Sequence, residues 1–153
     1  MAYIEETRDV DASPEEIWAF VANPRTWDKW FLILEKFREE PPTVLTEGTE
    51  LAVKLSALGM ASDAEMTVIA ITAPNTLVVH SIVSGVKIDF DFNIQPRGTG
   101  SAITVRCEFT GMMIRGPIAK AAAEVSTEQV DRSLAQLTAL ISEEASPQGD
   151  PSQ

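Results

Sequence analysis

Residues 117–144 read PIAKAAAEVSTEQVDRSLAQLTALISEE, and this stretch decides the fold. Proline suits the first helical turn, so Gly116-Pro117 reads as a helix start, and no further proline appears until Pro147. At about 100° per residue, Lys120, Glu124, Thr127, Glu128, Asp131, Thr138 and Ser142 gather on one side, which should face water. The opposite side is broad and uneven. Ile118 and Val125 form one edge; Val130, Leu134, Leu137 and Ile141 form the other. Between them run Ala119, Ala122, Ser126, Gln129 and Ser133. A helix pressed onto a sheet puts its largest residues at the centre, because interiors are close-packed. The small, polar centre therefore reads as one wall of a cavity. Close packing through small residues is the other reading, and the sequence leaves both open.

The chain before this helix is strand-like. Segments near 33–39, 49–57, 64–72, 76–83, 86–95 and 101–110 are separated by turn residues such as Pro41-Pro42, Gly48, Leu58-Gly59, Pro74-Asn75, Ser84-Gly85 and Pro96-Arg97-Gly98. The clearest is 86–95, where Val86, Ile88, Phe90, Phe92 and Ile94 alternate with Lys87, Asp89, Asp91, Asn93 and Gln95. That alternation fits a sheet with one buried and one wet face. Ile103, Val105, Cys107 and Phe109 repeat it in the next strand. Short connections make consecutive strands antiparallel neighbours.

Residues 2–11 read as a first strand, with Ile4, Glu6, Arg8 and Val10 on one face. Ser13-Pro14-Glu15-Glu16 is a capping box opening a short helix over 14–22. Asn23-Pro24 ends it and caps a second short helix, 24–31, containing Trp27, Trp30 and Phe31. An antiparallel sheet with one apolar face needs a cover, and only the last helix is large enough. The expected architecture is α+β: seven antiparallel strands curved around the C-terminal helix, with two short helices after strand 1. One domain, 1–145, is expected, followed by a disordered polar tail at 146–153.

The net charge is −11, which repels phosphate backbones and anionic membranes, and no Lys/Arg cluster stands out. No nucleic-acid binding and no membrane insertion are expected, since no apolar run approaches a membrane span. The N-terminus lacks signal-peptide features and the single cysteine, Cys107, suits a reducing compartment, so a cytoplasmic location is expected.

The segments Val10-Asp11-Ala12-Ser13-Pro14-Glu15-Glu16-Ile17-Trp18 and Asn23-Pro24-Arg25-Thr26-Trp27-Asp28-Lys29-Trp30 resemble the SRPBCC superfamily, also called START-like or Bet v 1-like. The Gly116-Pro117 helix start and Arg132-Ser133-Leu134 fit it too, so the likeness spans residues 2 to about 144. The resemblance implies the helix-grip fold. It says little about activity, since the superfamily includes polyketide cyclases and aromatases, lipid-transfer proteins and hormone receptors. Gly59-Met60, Gly85-Val86-Lys87 and the run from Gly111 to Pro117 also resemble an actinobacterial subgroup, some of whose members are labelled toxins of type II toxin–antitoxin pairs.

Little conventional site chemistry is legible. One histidine and one cysteine cannot make a conventional zinc site, and there is no phosphate-binding loop, dinucleotide fingerprint or nucleophile elbow. No metal or cofactor is expected. Glu6 and Arg8 point the same way and read either as a wet surface pair or as ligand-orienting groups. His80 lies on a strand apolar on both faces, so its direction cannot be read. Cys107 reads as a small buried hydrophobe.

Three functions compete. The leading one is a binding or carrier protein for an apolar, lipid- or polyketide-like small molecule. Its walls are Phe90, Phe92, Val105, Cys107 and Phe109, and Trp30 is either an anchor of the short helix or an entrance gate. Ser126, Gln129 and Ser133 supply the polar contacts, and Met112 and Met113 a mobile lid or, alternatively, a patch for a protein partner. The others are a polyketide cyclase-like enzyme, for which Glu6, Arg8 and His80 are the only nominees, and a toxin-like regulator acting through another protein.

Overall fold

The computed structural model describes residues 2–57 and 60–145; the Leu58-Gly59 turn and the 146–153 tail lie outside the described residues. Its strands are β1 (Ala2–Val10), β2 (Leu34–Phe37), β3 (Glu50–Ala57), β4 (Met60–Thr72), β5 (Thr76–Val83), β6 (Val86–Arg97) and β7 (Gly100–Thr110). Its helices are α1 (Pro14–Val21), a 3-10 turn at Pro24–Thr26 running into α2 (Trp27–Trp30), and α3 (Gly116–Ala145). The seven strands form one antiparallel sheet in the order β1-β7-β6-β5-β4-β3-β2, curled around α3. This is the expected helix-grip architecture.

Local chemistry explains the elements. Ser13 Oγ accepts from the Glu16 amide at 3.1 Å and Glu16 Oε1 accepts from the Ser13 amide at 2.8 Å, closing the capping box. Asn23 Oδ1 accepts from the Arg25 amide, which starts the next turn. That second segment is shorter and tighter than a continuous helix over 24–31, because the 3-10 turn occupies its first three residues. Alternation fixes the sheet faces. Ile88, Phe90, Ile94, Ile103, Cys107 and Phe109 are fully buried, while Lys87 and Arg106 lie on the wet side. Pro96 and Arg97 belong to β6, where Pro96 pairs with Ser101, and the hairpin turn falls on Gly98 with φ 60°.

Of the two apolar edges expected to border the covered side of the long helix, only one is buried. Ala122, Ser126, Val130, Ser133, Leu134, Leu137 and Ile141 are buried, but Ile118 and Val125 are exposed. The helix is rotated toward its Val130/Leu134 edge. It packs chiefly along β1 and α2, and the Ile118/Val125 edge faces solvent.

Candidate ligand-binding interior

The concave face of the sheet is partly filled by aromatic side chains carried in by the short helices. The Phe31 ring meets Phe90 edge-on at 5.2 Å and Phe92 at 5.7 Å. Trp30 meets Phe92 edge-on at 6.0 Å. Trp27 closes the group against Phe31 at 5.9 Å and stacks on Phe37 at 6.3 Å. Edge-to-face pairs of this kind stabilise a core beyond the area they bury. The polar ends of both tryptophans are satisfied. Trp27 Nε1 donates to the Val21 carbonyl at 3.0 Å, and Trp30 Nε1 donates to Thr26 Oγ1 at 3.1 Å. Trp30 is buried and anchored at both ends, so it is a packing residue in this conformation, not an open gate.

Three polar side chains on the inner face of α3 have different fates. Gln129 Nε2 donates to the Ser56 carbonyl at 3.0 Å and ties the helix to the end of β3. Ser133 Oγ accepts from the Leu32 amide at 2.9 Å and ties it to the chain after α2. Ser126 is 1% exposed, and its Oγ is the one buried side-chain polar atom without a hydrogen-bond partner among the described residues. The other buried serines are all bonded, Ser81 to the Glu65 carbonyl and Ser101 to the Ala12 carbonyl. Leaving a buried hydroxyl unpaired costs about 1–3 kcal/mol. Ser126 lies one turn from Gln129 toward the helix start, beside the small side chains Ala119, Ala122 and Ala123, which also contact the core.

The other residues expected to form the wall, Phe90, Phe92, Val105, Cys107 and Phe109, all lie in the buried core. Burial and the nearby Asp89 charge both push the Cys107 thiol well above its usual range. The thiolate is the reactive form. In the native protein Cys107 should therefore label with a thiol reagent at least about a hundredfold more slowly than after denaturation, read by mass spectrometry. Labelling at equal rates would show that the strand opens freely.

Met112 and Met113 are 85% and 68% exposed, pointing to solvent, while Ile114 between them and α3 is buried. Clefts open on the outside of the molecule. One of about 440 Å³ lies between α1 and the end of α3, lined by Phe20 and Ile141; another of about 510 Å³ lies beside Trp18, Val44 and Ile71.

Of the titratable nominees, Glu6 and Arg8 lie half-buried on the inner face of β1 with Ile4 and Val10, Glu6 standing opposite Val105. His80 occupies the outer face of the sheet, where Nδ1 meets Asp89 Oδ1 at 3.0 Å; with apolar residues on both faces of its strand, its direction is not legible from sequence. Arg8 turns to α3 and pairs with Asp131 at 3.4 Å, a half-exposed contact of small energetic value. The feature missed by sequence reading is a polar cleft on the outer face between Glu5, Asp91, Asn93, Thr104 and Arg106. There burial raises the Asp91 carboxyl above its ordinary value, against the lowering effect of Arg106. Its signal was present in the polar alternation of β6 and β7. Among the described residues no group of three or more His, Cys, Asp or Glu is placed to hold a metal ion. No helix among them is long and apolar enough to cross a membrane.

Comparison with known proteins agrees with this architecture. An uncharacterized protein of Mycobacterium tuberculosis is 30% identical over 141 residues, covering 92% of this chain and 99% of that one. Among solved structures, a protein from Chromobacterium violaceum superposes with a TM-score of 0.69 at 17% identity, over 91% of this chain and 96% of the other. Ara h 8.0201 superposes with a TM-score of 0.66 at 15% identity, over 92% and 97% of the two chains. At such identities these likenesses concern the fold alone. A family model described as polyketide cyclase / dehydrase and lipid transport matches residues 1–142, and the chain belongs to that family.

Proposed function

We propose that this protein binds an apolar small molecule, lipid- or polyketide-like, between the concave face of the sheet and the N-terminal half of α3, without transforming it. The observation that carries this reading is the unpartnered Ser126 hydroxyl on the inner face of the helix. A buried donor and acceptor that the protein leaves unsatisfied is a natural anchor for one polar group of an otherwise apolar guest. Phe109, Val105, Cys107, Phe90 and Phe92 would supply apolar wall, and the alanines of α3 present only small side chains to it. Gln129 and Ser133 act as struts, since their polar atoms already hold backbone groups. A cytoplasmic location fits a buried, reduced Cys107.

The carrier reading is favoured over a cyclase by the placement of acids and bases. A general acid or base must reach its substrate. His80 and Asp89 face away from the interior and Arg8 is engaged with Asp131, which leaves Glu6, half-buried opposite Val105, as a lone acid with no base placed beside it. Native mass spectrometry of freshly purified protein, followed by titration with a fluorescent fatty acid, tests the proposal. A stoichiometric small-molecule adduct, or saturable one-to-one probe binding, is expected. Absence of both would end the carrier reading.

A further inference from the structure

The buried interior carries no charge. The buried polar residues among the described ones are Ser81, Ser101, Ser126 and Ser133, and no Asp, Glu, Lys, Arg or His joins them. Ser81, Ser101 and Ser133 are bonded to backbone groups, which leaves the Ser126 hydroxyl as the one unpaired polar group inside.

The cations can be placed completely, because all 12 Lys and Arg belong to the described residues. All but Arg8 and Lys54 are exposed. Lys54 alternates with buried Val53 and Leu55, so it points to the outer face, where it pairs with Glu35 at 3.8 Å. Arg8 is on the inner face of β1, but Asp131 holds its guanidinium at 3.4 Å. His80 is on the outer face with Asp89. Few other groups could titrate near Ser126. The charged side chains of α1, α2 and α3 are exposed. On the inner faces of β6 and β7 the one titratable group is the Cys107 thiol, which burial keeps neutral. Glu6 stands half-buried opposite Val105 with no ion pair, so the uncompensated charge on the inner face of β1 is negative.

An ionised carboxylate or phosphate moved into such an interior loses its hydration and meets no counter-charge; it neutralises instead. A hydroxyl, ketone or ester loses far less on entry. A serine hydroxyl, with a donor and lone pairs to accept, can complete its hydrogen bonding. A guest that entered tail-first, with a charged head left in water, would leave the Ser126 hydroxyl unpaired.

We propose that the polar end of the guest is uncharged: the interior takes a long-chain alcohol, ketone or ester, and takes a fatty acid only as the neutral acid. The inference rests on the binding proposal above and adds the class of head group. The carboxylate of a fatty acid gains a proton from solvent as it enters, so its affinity falls about tenfold for each pH unit above its own pKa. An alcohol of the same length has nothing to titrate.

The test is calorimetric titration of the full chain with decanol and with decanoate, at about pH 6 and about pH 7, in buffers of different ionisation enthalpy. Decanol should bind equally at both, without proton exchange. Decanoate should bind more weakly than decanol, lose about tenfold in affinity between the two, and take up about one proton per molecule bound. Decanoate bound as tightly as decanol, with no proton uptake, would overturn the inference and leave the binding proposal standing. A decanol affinity that itself falls with pH would place the titration in the protein and overturn it as well. Binding of neither compound would bring down the binding proposal, and this inference with it.

Discussion

Replacing Phe31 by alanine should lower the unfolding free energy by about 3–5 kcal/mol, among the largest losses expected of any single truncation here. The ring is 3% exposed and contacts four aromatic neighbours, Trp27, Trp30, Phe90 and Phe92. Removing it deletes those contacts and leaves an apolar void between sheet and helix that the surrounding rings cannot close. Such a void stays dry and admits apolar guests. The variant should therefore melt lower by about 2–4 °C per kcal/mol lost, and should bind a fluorescent apolar probe more tightly than the wild type. Urea unfolding checks the first part and probe titration the second. A loss under about 1 kcal/mol would mean that the ring is not packed as described.

The second large effect concerns Ser126. Ser126→Phe places a ring where the interior now offers a hydroxyl and neighbouring alanines. Probe binding should be abolished while circular dichroism keeps its helical and strand signals, because the ring enters space reserved for a guest. If that space were already filled, overpacking would instead cost about 1–3 kcal/mol and distort the helix. Ser126→Ala separates anchoring from volume. It removes an unpaired polar atom, so stability should rise, whereas affinity for a guest with one polar group should fall about five- to tenfold for the lost hydrogen bond.

These effects rest on features of unequal legibility. The sheet faces were open to reading because β6 and β7 alternate without interruption from Val86 to Ile94 and from Ile103 to Phe109. The start of α1 was equally plain, since a capping box needs only residues three apart. The pose of α3 was not. It carries apolar residues on both edges, and which one is buried depends on how β1 and α2 meet the helix, a long-range fact with no local signature. For the same reason Gln129 and Ser133 read as free polar contacts. Their partners, the Ser56 carbonyl and the Leu32 amide, are backbone groups 73 and 101 residues away, and every residue has such groups. The anchoring of the short helices to the sheet through Trp27, Trp30 and Phe31 was legible, and the Phe31 ring does meet Phe90 and Phe92; which rings it would meet was not, because a residue just after a short helix carries no sign of the direction it will take. Ser126 stood in the right place in the sequence, but its lack of a partner is visible only in three dimensions.

The most direct test of the central claim is a crystal structure of the chain with the fluorescent fatty acid bound. The account predicts ligand density between the sheet and the N-terminal half of α3, with one polar ligand atom within hydrogen-bonding distance of Ser126 Oγ. Density confined to the outer clefts beside α1 or Val44, with Ser126 Oγ bonded to a helix carbonyl or a buried water, would contradict it.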